Sequence, residues 1–215
     1  MAEEKNKSLR PLKVLLAENN PKKPSCDDLH APDKPVIEFL FSNYPENNDT
    51  AIVVSKCALV IVMESLGQSI RSFDTVKELA AHICEKEIEL ALIQGKKTDK
   101  EYFELVKKLA DDHKIKTSRN HKSKDHTSLL SFASKYCAHH NQIYPFYDND
   151  VFTLLKFWGY DVTYMDYPKY VKAITTIQQE QGLSDFSLRH IESYLWSYLS
   201  KMKKHDRDNS STTSN

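Results

Sequence analysis

Three observations predict an all-α fold of about seven helices. Apolar residues recur at helical spacing through most of the chain between residues 50 and 203. Candidate N-cap residues stand just ahead of those patterns, at Asp49, Thr98, Thr127, Asp148 and Ser184. Glycine is scarce: the only four, Gly67, Gly95, Gly159 and Gly182, each sit where a helix could end. That scarcity disfavours a β fold rich in tight turns and excludes a glycine-rich phosphate loop.

Taken in order, residues 1–45 form a polar N-terminal arm carrying Pro11, Pro21, Pro24, Pro32 and Pro35, with one short element at Leu12–Leu16 and an apolar run of open type at Val36–Phe41. Residues 46–203 are read as one helical domain. It opens with a helix from Thr50 to Leu66, capped by Asp49 or Thr50, whose sequence is apolar nearly all round and so is expected at the centre of a bundle. A second helix is expected from Asp74 to Gln94, with Leu79, Ile83, Leu90 and Ile93 on one side. Thr98 opens a third through a T-D-K-E capping box, and its apolar stripe is Phe103, Val106 and Leu109.

The stretch Lys114–Lys124 has five basic residues and no acid and reads as a loop. Thr127 or Ser128 caps the next helix, which runs to His140; Asp148 caps another over VFTLLKFWG. The last two helices span Tyr167 to Gln181 and Ser184 to Lys203, the latter carrying Leu188, Ile191, Leu195 and Leu199. Residues 204–215 are a polar tail that reads as disordered.

Bulk properties narrow the function. Thirty basic residues balance thirty acidic ones, so no net field argues for a polyanion or a membrane, and such a site must be a local cluster. Cys26, Cys57, Cys84 and Cys137 make no CxxC pair, which speaks against a zinc knuckle, an iron–sulfur loop or a disulfide framework. No apolar run approaches the ~18–20 residues of a membrane span, and the start MAEEKNKSLR is not a secretory leader. The expectation is a cytoplasmic monomer without a cofactor.

Residues 128–155 are where chemistry concentrates. Lys135 lies inside an apolar helical pattern, and Asp148 follows a proline turn at the start of the next helix. Burial disfavours the charged form of an amine and so can make a lysine nucleophilic. The bland alternatives are a lysine snorkelling from a helix edge and an aspartate that only caps, with Asp150 as a competing carboxylate. His126, His139 and His140 raise a metal reading, but neighbouring histidines point to different helix faces and no H-E-x-x-H pattern exists. No metal is therefore expected.

Ser131-Phe132-Ala133-Ser134-Lys135, followed by Tyr144-Pro145-Phe146-Tyr147-Asp148-Asn149-Asp150-Val151, resembles the helix-hairpin-helix DNA glycosylase superfamily, in particular its 8-oxoguanine glycosylase branch. The likeness covers about thirty residues. In that family a G-h-G-x-K hairpin precedes a V-P-x-D-x-x-V segment; here Ser131 and Ala133 replace both glycines, and the lysine–aspartate gap is shorter. The resemblance implies an enzyme that excises a damaged base such as 8-oxoguanine from duplex DNA with the base flipped out, with β-lyase activity through a lysine Schiff base.

Lys135 is then the nucleophile, and Asp148 stabilises the cationic sugar in the transition state. Phe132, Tyr136, His139, Tyr144, Phe146 and Tyr147 would line the base pocket. Lys114, Lys116, Arg119, Lys122 and Lys124, with the hairpin positions Ser131 and Ala133, would meet DNA phosphates. The alternative is a catalytically silent module of the same fold that binds nucleic acid or a partner protein, for instance in phage defence.

Overall fold

The computed structural model describes residues 34–46, 49–64, 66, 70, 72–94, 98–111, 126–141 and 143–199. Among these residues the fold is all-α, with nine helices and no strand. The expected class is correct; the count is higher for two reasons. The run at Val36–Phe41 is helical, as part of α1 (Lys34–Asn43). The single helix expected over Asp74–Gln94 is two, α3 (Phe73–Glu85) and α4 (Ile88–Ile93), because Glu87 takes left-handed φ of 49° and ends the first helix. No helix among the described residues is long and apolar enough to cross a membrane. Leu12–Leu16, Gly67, Gly95 and the tail 204–215 lie outside the described residues.

The chain divides into two compact units between Tyr147 and Asp148. In the first, α2 (Thr50–Met63) packs against α1, α3 and α6 (His126–His140), and α5 (Asp99–Ala110) packs along α6. Asp49 caps α2 by accepting the amide of Ala51, and Thr98 and Glu101 form the expected capping box of α5. α2 is less central than its composition predicts: Val62 is 74 % exposed, while Lys56 is wholly buried among Val53, Cys57 and Val60. α6 touches α1, α2, α4 and α5, and its polar side chains meet partners at the end of α2, on α4 and at Tyr147.

The second unit contains α7 (Asn149–Phe157), α8 (Tyr167–Glu180) and α9 (188–199). Its buried apolar residues include Val151, Leu155, Ile174, Ile177, Ile191 and Leu195. Asp148 caps α7 as expected, and Asp166 caps α8. α9 begins one turn later than predicted: the Ser187 hydroxyl, not Ser184, receives the His190 amide. Gly159 and Gly182, at φ of 78° and 61°, close α7 and α8. In each case the next amide reaches back five residues, Tyr160 to Leu155 and Leu183 to Gln178, a Schellman closure that needs positive φ.

Candidate active site

Lys135 lies on the middle turns of α6, where its long stem is covered and its amine reaches the end of α2. Nζ donates to the backbone carbonyl of Glu64 at 3.1 Å and lies 3.8 Å from Glu64 Oε2. Glu64 is the C-cap of α2, so the ammonium also meets the negative end of that helix. One turn along α6, His139 Nε2 stands 3.4 Å from the other carboxylate oxygen, Oε1, without the geometry of a hydrogen bond. The His139 imidazole lies against two rings, Phe41 at 5.2 Å and Phe146 at 5.6 Å between centroids. Phe146 also sits 5.6 Å below the Lys135 amine. An amine, a carboxylate and an imidazole thus converge within an aromatic wall.

A second lysine–glutamate–histidine group, formed by α2, α4 and the end of α6, goes unnoticed in the sequence. Lys56 of α2 donates to Glu89 Oε1 of α4 at 2.6 Å and to the carbonyl of Tyr44. Tyr136 OH donates to the same carboxylate oxygen at 2.5 Å, and His140 Nε2 lies 3.3 Å from it. Burial alone would push the Glu89 carboxyl up; contacts from His140, Lys56 and Tyr136 outweigh it and hold the carboxyl below its usual range. Burial pushes the His140 imidazole down, against the pull of Glu89, and pushes the Tyr136 hydroxyl well up.

The two groups differ in access. The Lys56 and Glu89 side chains are 0 % and 4 % exposed, whereas Lys135, Glu64 and His139 keep 10 %, 12 % and 15 %. The Lys56 group is a sealed structural network; the Lys135 group reaches the surface. The signal for the first was the lone charge of Lys56 inside AIVVSKCALVIV, which calls for a buried counter-charge. Its partner, thirty-three residues away, has no local signature.

The other predicted site residues separate. Ser131 and Ala133 do not stand at a hairpin: Ser131–Lys135 is continuous α-helix, because without glycine nothing there favours the positive φ of a tight turn. Their amides are committed to the helical ladder rather than free for a phosphate. Ser134 accepts the amide of Tyr147 at 2.8 Å and so ties α6 to the segment ahead of Asp148.

Phe132, Tyr136 and Tyr147 are wholly buried core rings. Tyr144 is stacked on Tyr102 at 3.8 Å between centroids and donates to Asp99 at 2.6 Å. Of the expected pocket residues, Phe146 borders the Lys135 amine and His139 borders the Glu64 carboxylate beside it.

Asp148 opens the second unit; its carboxylate accepts the amides of Asp150 at 2.8 Å and Val151 at 3.1 Å, and its own amide donates to the Tyr170 hydroxyl at 3.4 Å. Lys114, Lys116, Arg119, Lys122 and Lys124 lie outside the described residues. Among the described residues no group of three histidine, cysteine or acidic side chains could hold a metal ion.

Comparison with curated proteins and with solved structures finds no match. A family model does match: HI_0787_N, described as an N-terminal domain, over residues 18–144. That span is more than half of the chain and contains Glu64, Lys135 and His139, while Asp148 lies beyond it. The chain belongs to the HI_0787_N N-terminal-domain family.

Proposed function

We propose that the protein is a lysine-dependent DNA glycosylase with lyase activity, in which Lys135 attacks C1′ of a damaged nucleoside. The observation that carries this reading is the Lys135 amine: largely covered, still reachable from solvent, and beside a carboxylate and an imidazole. A lysine attacks carbon only as the free amine, so a neighbouring group must take its proton, and Glu64 stands where that is possible.

The test is borohydride trapping on duplexes carrying 8-oxoguanine or other damaged bases. A covalent adduct that disappears in Lys135→Ala supports the reading. No adduct on any lesion, with DNA binding intact, refutes it.

One observation favours a second reading, a catalytically silent module that binds nucleic acid or a protein. The helical course of residues 131–135 removes the free amides through which a hairpin grips a phosphate. Lys135 would then serve as the cation that ends α2 through the Glu64 carbonyl. DNA binding unaffected by Lys135→Ala, without base release, is its expected signature.

A further inference from the structure

We propose that Glu64 is the base of the elimination step that follows Schiff-base formation at Lys135, and that His139 is the residue that positions it. The inference rests on the reading of Lys135 as the nucleophile. Its grounds are geometric: the two oxygens of one carboxylate face two different groups, Oε2 the Lys135 amine at 3.8 Å and Oε1 the His139 imidazole at 3.4 Å.

Once Nζ is bonded to C1′ of the opened sugar, C2′ is two bonds from Nζ. A carboxylate oxygen that stands 3.8 Å from Nζ is then in range of the C2′ proton. In the step, that proton passes to Glu64, its bonding pair becomes the C2′=C3′ double bond, and the C3′–O pair leaves with the phosphate. No oxidant or further reactant is needed. The same carboxylate can take the proton that the ammonium loses before attack and pass it to the group leaving C1′, which returns Glu64 to the ionised form for the elimination.

Two titratable groups of α6 face Glu64, Lys135 and His139; the imidazole also lies against the Phe41 ring of α1 and the Phe146 ring. Lys56 of α2, Glu89 of α4 and His140 of α6 form their own closed set. Glu64 is held at the end of α2 by the Lys135 bond to its own carbonyl, so its carboxylate approaches the amine from a fixed direction.

The experiment uses the full chain and a duplex with a preformed abasic site, which removes the identity of the excised base from the question. Trapped adduct and strand nicking are measured in parallel for wild type, Glu64→Gln, Glu64→Asp, His139→Gln and Lys135→Ala across a range of pH. The expected result is a nicked-to-trapped ratio about a hundredfold lower in Glu64→Gln, with the acidic limb of the nicking profile gone. Partial recovery in Glu64→Asp and a smaller fall in His139→Gln complete the pattern.

A Glu64→Gln ratio and pH profile equal to wild type, with adduct still formed, overturns the role of Glu64 and leaves the lysine reading standing. Trapping and nicking lost in the same proportion in Glu64→Gln, with Glu64→Asp no better, also overturns it, because a group that merely holds the site together behaves so. Wild type that neither traps nor nicks overturns both.

Discussion

Replacing Lys56 by Met should unfold the first unit under conditions where the wild type is stable. Methionine has similar length and volume and no charge, so the change isolates the ammonium. In the wild type that ammonium donates to Glu89 Oε1 at 2.6 Å and to the Tyr44 carbonyl, with both charged side chains sealed from water. Without it Glu89 keeps Tyr136 and His140 but remains a buried carboxylate with no cation.

Removing one partner of a buried pair costs ~3–5 kcal/mol, because the other charge is left uncompensated. For a unit of roughly a hundred residues, that corresponds to a midpoint lowered by about 12–20 °C. Neutralising the carboxylate as well, in Lys56→Met with Glu89→Gln, should recover at least about half of the loss, since the amide still accepts from Tyr136.

The assay is pulsed thiol labelling of Cys57, which neighbours Lys56 and is wholly buried, followed by peptide mass spectrometry through a urea titration. It reports on this unit alone. A single variant within ~1 kcal/mol of wild type, or a double variant no better than the single, would refute the argument that the pair is held by mutual charge compensation.

Other outcomes follow from the same geometry. The His140 imidazole is held down, so the unfolded chain binds its proton first; stability should fall as pH drops below ~6.5, and His140→Gln should remove that part of the decline. Glu89 is held below the usual carboxylate range, so its contribution is present above ~4.3 and is lost as pH falls through its lower folded value; a thermal-midpoint profile should keep this acidic decline in His140→Gln. Asp148→Ala should cost ~1 kcal/mol in thermal or urea unfolding by leaving the Asp150 and Val151 amides without their acceptor, while Asp148→Asn should keep the cap and most of that stability. Burial pushes the thiols of Cys57 and Cys137 up, so native-state alkylation at pH 8 should spare both and reach them only on unfolding.

What could be read from the residues alone was what is decided locally. Asp49, Thr98 with Glu101, and Asp148 cap the helices they were expected to cap, because an N-cap is a contact over two or three residues. The break between α3 and α4 escaped notice because a glutamate, not a glycine, takes the left-handed position there. A continuous helix was the better fit to local propensity.

The site was half legible. Lys135 stood out as a charge in an apolar pattern; Glu64, its partner seventy-one residues away, did not. The Ser131–Lys135 segment was matched to a hairpin by residue type, although the glycines that bend such a hairpin are the part this chain lacks. Aromatics near Lys135 in sequence were assigned to one pocket, yet helical geometry sends Phe132 and Tyr136 inward and leaves His139 beside the Glu64 carboxylate.

The crowding of α6 has a consequence for how this protein can change over time. Ser134 meets Tyr147, Lys135 and His139 meet Glu64, and Tyr136 and His140 meet Glu89, so the five side chains draw on three separate places in the chain. Inserting or deleting one residue after Ser134 would turn everything beyond it by about 100° and misplace four of those contacts at once. Such a segment tolerates exchange of side chains one at a time but not a change of length. Among relatives, gaps should therefore gather between the helices and leave α6 uninterrupted.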